Sequence, residues 1–152
     1  SWISKNDDIG INKSISLEKL RPVLSIKNIE FIDLQYNDTV DERNILYDQT
    51  GIKICKIESI DNFNDLNGIT SLIDICDFVI TVSNTNAHIS GALGKKTYLL
   101  LPKGKGKLWY WSSLKNRSVW YKSVLTIEQK TTDVWIDSIN KLKKIIEEKI
   151  NG

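Results

Sequence analysis

Residues 82–101 read VSNTNAHISGALGKKTYLLL and hold the chain's single histidine, His88. One apolar run leads in, Asp77–Val82 (DFVITV), and another leads out, Lys96–Leu101, ended by Pro102. Both are largely aliphatic or β-branched, the pattern of strands buried on two faces. Between them Asn86–Leu93 reads as a short helix closed by Gly94, because glycine takes the left-handed conformation at a helix end without a Cβ clash. Strand, polar turn, helix and strand in that order make the unit of a parallel sheet. The polar turn then falls at a strand's carboxyl end.

The same alternation extends in both directions. Trp2–Ser4 reads as the tail of a strand whose beginning is missing, and Ser16 caps a predicted helix through Leu24. Ile29–Tyr36 predicts a strand, Thr39–Thr50 a helix stopped by Gly51, Ile52–Ile57 a strand, and Ile69–Cys76 a helix. Lys103–Lys122 is a basic, aromatic loop, and Val124–Ile127 predicts a last short strand. Thr131–Ile150 predicts an amphipathic helix, with Val134, Trp135, Ile139, Leu142, Ile145 and Ile146 on one face. The expected fold is α/β: a single Rossmann-like domain over residues 1–152, three layers deep, with a mostly parallel sheet. Ligands of such sheets sit beyond the strands' carboxyl ends, here the loops after Ser4, Val82 and Leu101.

Composition narrows the function classes. A net charge of +2 demands no polyanionic partner, and no apolar run approaches the roughly 18 residues of a membrane span. Cys55 and Cys76 sit far apart in unrelated apolar contexts, which favours buried thiols and a reducing, cytoplasmic setting over a disulfide. Methionine is absent, so the chain is expected to be processed or to be a segment of something longer. One histidine and scattered carboxylates predict no metal site.

Familiar phosphate motifs are missing. There is no GxGxxG, and GALGKKT has the wrong glycine spacing for a Walker A loop and is followed by a strand. What remains is Ser83-Asn84-Thr85-Asn86-Ala87-His88, a run leading from a buried strand into a helix. A helix start offers unpaired N–H groups that attract a phosphate, and hydroxyl and amide side chains add hydrogen bonds. His88, one turn in, could donate to a diphosphate oxygen, and Gly91 permits close packing on the sheet or on a ligand. The alternative is that Asn84 merely caps the helix and His88 packs against a neighbour.

The run TVSNTNAHISGALGKKTYLLLP, followed by LWYW and RSVWYKS, resembles the C-terminal half of a bacterial glycosyltransferase family. Its members often carry tetratricopeptide repeats upstream; they are related to heptosyltransferases and, more distantly, to O-linked N-acetylglucosamine transferases. The opening SWISKNDDIGINKSISLEKL is similar to the start of that half, so the likeness covers nearly the whole chain. The resemblance implies a GT-B architecture, two Rossmann-like domains facing across a cleft, of which this chain is the half that binds the nucleotide-sugar donor. By that likeness Ser83, Asn84, Thr85, His88 and Gly91 belong to the diphosphate-binding helix start. Ser4, Lys5 and Lys13 approach the same phosphates, and Trp109, Tyr110 and Trp111 lie near the donor or the cleft rim. His88 is the implied catalytic residue, stabilising the leaving diphosphate in a metal-independent transfer. No cofactor is implied beyond the donor itself. The N-terminal acceptor-side domain, absent from this chain, is the implied source of the general base.

The chain departs from the family pattern at Ser83, where heptosyltransferases tend to have Asp, at Val119 and Lys122 in place of prolines, and at Glu128 in place of Arg. Other readings weigh in. A non-catalytic module could retain the fold and the nucleotide-sugar site. Trp109, Trp111 and Trp120 with Lys105, Lys107, Lys115 and Arg117 could stack on single-stranded nucleic acid, but the small net charge argues for no nucleic-acid partner. KLKKIIEEK near the C-terminus reads as the solvated outer face of a docked helix.

Overall fold

The computed structural model describes residues 1–152, Asn151 without its side chain. Helices are α1 (Gly10–Lys13), α2 (Leu17–Leu24), α3 (Val40–Thr50), α4 (Leu66–Ile75), α5 (Thr85–Ala92) and α6 (Ile136–Asn151). Strands are β1 (Phe31–Ile32), β2 (Ile54–Cys55), β3 (Val79–Val82), β4 (Thr97–Leu101), β5 (Ser113–Leu114), β6 (Arg117–Ser118) and β7 (Val124–Glu128). The fold is α/β. A parallel pair, β1-β2, stands beside a mixed five-stranded sheet in the order β3-β4-β7-β6-β5, in which β3, β4 and β7 run parallel.

The expected mostly parallel sheet needs correcting at one edge. Lys115 and Asn116 take left-handed φ of 50° and 61° and fold the chain into a tight hairpin, so β5 runs antiparallel to β6 and β6 antiparallel to β7. Two consecutive left-handed residues match the right-handed twist of a hairpin's strands, and asparagine tolerates that conformation. A second correction concerns the last helix. Asp133 has φ of 61° and Thr131 bridges Val134, so the helix begins at Ile136 and not at Thr131. The apolar stripe survives: Trp135, Ile139, Leu142 and Ile146 are buried, while Val134 is exposed. Gly51 and Gly94 take φ of 71° and 67° after their helices, as their positions in the sequence predict.

Both faces of the sheet are covered. Along β4, Tyr98 and Leu100 pack with α2 and α6 through Leu20, Val23, Ile139 and Leu142. The alternate residues Leu99 and Leu101 pack with Ala87 of α5 and with Trp111, the two-residue period of a strand. A third cluster joins Leu34, Val79 and Ile69, Leu72 and Ile73 of α4.

Ser1–Ile3 lies along the free edge of β3. Ser1 N donates to Ile80 O at 3.1 Å and Val82 N to Ser1 O at 3.2 Å, the pattern of a parallel pair. On its other side a side chain replaces a main-chain ladder. Gln35 Oε1 accepts from Trp2 N at 3.0 Å and Ile3 N at 2.9 Å, and its Nε2 donates to Ile3 O at 3.2 Å. Among the described residues no helix is long and apolar enough to cross a membrane.

Candidate functional site

The carboxyl ends of Ser1–Ile3 and β3 open into a cleft of about 480 Å³. On one wall β3 turns into α5. Asn84 is the N-cap: its Oδ1 accepts from Asn86 N at 3.1 Å, and its Nδ2 donates to Ser1 Oγ at 2.7 Å. Its side chain is thereby committed to closing the helix start and to binding Ser1. Asn86 is anchored inward, donating through Nδ2 to Leu34 O at 2.7 Å. Thr85 is exposed to the cleft, and its hydroxyl makes no hydrogen bond among the described residues.

The opposite wall is built by residues 4–14, which read as a long loop and fold into a compact return. Asn6 Oδ1 accepts from Asp8 N and Ile9 N, and Gly10 N donates to Asn6 O at 2.7 Å. Ser4 N then donates to Ser14 Oγ at 3.0 Å, and Ile15 N to Trp2 O at 2.9 Å, so the end of α1 sits beside the end of Ser1–Ile3. Gly10 makes this approach possible, since a Cβ there would lie 2.3 Å from Ser4 O. The return delivers Lys13 into the cleft. Lys13 is 5% exposed and has no hydrogen bond or ion pair among the described residues. Burial pulls its ammonium below the ordinary lysine range. Lys13 and the start of α5 thus place positive charge on the same cleft.

His88 stands on the α5 wall in an aromatic nest. Its ring stacks on Trp111 with centroids 4.6 Å apart and planes at 30°, and Tyr110 flanks it at 5.5 Å. Trp111 is fully buried and donates through Nε1 to Ser83 Oγ at 2.8 Å, which fixes the platform. Tyr121 Oη lies 3.3 Å from His88 Nδ1. Burial lowers the His88 pKa and so favours the neutral imidazole. The cleft lining contains Lys5, Lys13 and His88 and no Asp or Glu.

Of the residues singled out in the sequence, Ser4, Lys5, Lys13, Ser83, Asn84, Thr85 and His88 all line this one cleft. Three do not. Gly91 faces the Tyr121 ring, where an added Cβ would fall 2.5 Å from Cγ, so its role is to seat that tyrosine. Trp111 lies beneath His88 as a support, and Trp109 is 77% exposed outside the cleft, leaving Tyr110 as the lining member of WYW. Glu128 pairs with Lys107 at 2.7 Å. Tyr36, Asn62 and Phe63 escaped the sequence reading; they come from two other loops and form the far end of the cleft. Tyr36 Oη accepts from Lys5 N at 2.6 Å, and its ring sits 6.2 Å from that of Phe63. An aromatic at the carboxyl end of the predicted strand Ile29–Tyr36 was the available signal for Tyr36. Among the described residues no His, Cys, Asp and Glu cluster is suited to hold a metal ion.

Protein FlbA of Caulobacter vibrioides is 30% identical over 115 residues, covering 75% of this chain and 18% of FlbA. The chain therefore spans less than a fifth of that relative's length. No family model and no solved structure matches the chain.

Proposed function

We propose that the chain is the donor-binding half of a metal-independent glycosyltransferase of GT-B architecture, holding the diphosphate of a nucleoside diphosphate sugar. The observation that carries the reading is Lys13: a lysine side chain largely buried in the fold, with no counter-ion among the described residues, lining the same cleft as the start of α5. A ligand with two adjacent phosphates supplies charge for Lys13, for the open N–H and hydroxyl of Thr85, and for His88. As the glycosidic bond to the diphosphate breaks, negative charge grows on the leaving oxygens. A lysine, a helix start and an imidazole that takes up a proton stabilise it without a metal.

The strand arrangement supports the same reading. With Ser1–Ile3 counted as a strand, the order is β2, β1, Ser1–Ile3, β3, β4, β7, that of a doubly wound Rossmann-like nucleotide-binding sheet. Order reverses between Ser1–Ile3 and β3, and the cleft lies at the ends of those two segments. Because no carboxylate lines the cleft, the base that activates the acceptor is assigned to a second domain of the full-length protein. The chain alone is thus expected to bind donor without transferring sugar. The test is a thermal-shift panel of nucleoside diphosphates and nucleotide sugars in the presence of EDTA. A ligand that binds only the folded state raises Tm; a panel in which no diphosphate raises it more than the matching nucleoside refutes the proposal.

A further inference from the structure

The β5-β6 hairpin contributes no residue to the cleft lining, yet the chain leaving it carries a tyrosine that reaches the only histidine. Past β6, Ser118 Oγ accepts from Trp120 N at 3.2 Å and Tyr121 N at 3.4 Å, and Val124 N donates to Tyr121 O at 3.0 Å. These bonds turn the chain into β7 and hold Tyr121 over α5. Its ring lies on Gly91, where an added Cβ would fall 2.5, 2.7 and 2.8 Å from three ring carbons. Gly91 follows His88 by three residues, so the glycine and the histidine share one face of the helix. Seated there, Tyr121 meets the His88 ring edge-on, with centroids 5.9 Å apart at 73° and Oη 3.3 Å from Nδ1. Trp111 holds the flat side of the same imidazole. His88 lines the cleft and Tyr121 does not, which leaves Nε2 as the ring nitrogen free to meet a ligand.

A neutral imidazole has one N–H and one bare nitrogen, and the partner of one nitrogen sets the state of the other. Nδ1 of His88 is the one hydrogen-bond partner of the Tyr121 hydroxyl among the described residues. A phenolic O–H, of pKa about 10, is a better donor than a neutral imidazole N–H, and the bare imidazole nitrogen is the better acceptor. We propose that Tyr121 is a positioning residue that fixes the tautomer of His88: its hydroxyl donates to Nδ1, which places the imidazole proton on Nε2 and presents an N–H donor to the cleft. A carboxylate in the same place would accept from Nδ1–H and leave Nε2 as a base, as in a catalytic triad. A hydroxyl gives the reverse, which suits an anionic ligand. When the imidazole takes up a second proton, at Nδ1, the hydroxyl turns and accepts from it, so one contact serves both charge states. That this donor serves a diphosphate rests on the function proposed above.

With one histidine in the chain, nitrogen-15 NMR of the imidazole reads the tautomer directly, at about pH 8 where the ring is neutral. The ligand-free wild-type chain is expected to carry its proton on Nε2 and to show Nδ1 bare, the two told apart by their couplings to the ring hydrogens. This measurement needs no variant to fold. Tyr121→Phe keeps the ring on Gly91 and removes the hydroxyl alone. It is expected to bring the Nδ1–H form into the mixture and to keep Tm within about 3 °C of wild type. UDP binding should weaken by about two- to tenfold, the worth of one neutral hydrogen bond. A wild-type proton on Nδ1, an unchanged tautomer in Tyr121→Phe, or a shifted tautomer with unchanged UDP affinity would each overturn the assignment. A wild type that shows the Nε2–H form but binds no UDP would refute the diphosphate reading and leave the positioning role standing.

Discussion

Replacing Lys13 with methionine separates a binding role from a folding role by sign. Met keeps most of the unbranched stem and removes the ammonium. In the free protein Lys13 as a residue is 5% exposed, its ammonium has no partner among the described residues, and burial pulls its pKa down. Removing it relieves a desolvation cost, so Lys13→Met is expected to melt at the same temperature as wild type or a few degrees higher, about 2–4 °C for each kcal/mol gained in a domain of this size. In the bound state the same change deletes one charge-assisted contact to phosphate, worth about 1.5–3 kcal/mol, hence roughly a 10- to 150-fold loss in affinity for UDP. Calorimetry gives the affinity and thermal denaturation the stability. A variant that melts well below wild type yet binds UDP normally would show that Lys13 is a packing residue, and the site would lose its strongest feature.

Other outcomes follow from the same geometry. His88→Phe keeps the stack on Trp111 but loses the donor, so it should hold Tm within a few degrees while UDP binding falls by about tenfold or more; His88→Ala should lower both. Gly91→Ala places a methyl 2.5 Å from the Tyr121 ring and should cost about 1–3 kcal/mol in denaturant unfolding, with much of the loss restored by Tyr121→Ala.

The sequence carried the central strands and the turn that follows β3, because long buried runs such as DFVITV admit few other readings and Gly94 marks its helix end. Seven of the eight residues that approach diphosphate by resemblance were legible as one group only once the ends of Ser1–Ile3 and β3 met; adjacency of strand ends is a tertiary fact. Nothing in SKNDDIGINKS advertises that Asn6 and Gly10 fold the segment back on Ser4 and carry Lys13 into the cleft. The hairpin at Lys115–Asn116 was hidden by strands of two residues each, too short for any period. Trp111 and Gly91 were read as ligand neighbours because burial under His88 and Tyr121 leaves no trace in residue type.

The central claim is that the cleft recognises a diphosphate, and titration calorimetry of the chain with UDP, UMP and uridine at constant pH and without divalent metal tests it most directly. Affinity is expected to fall in that order, with the step from UDP to UMP at least about tenfold, the worth of one charge-assisted contact or more. Equal affinity for all three, or no binding of UDP at millimolar concentration alongside binding of uridine, would contradict it.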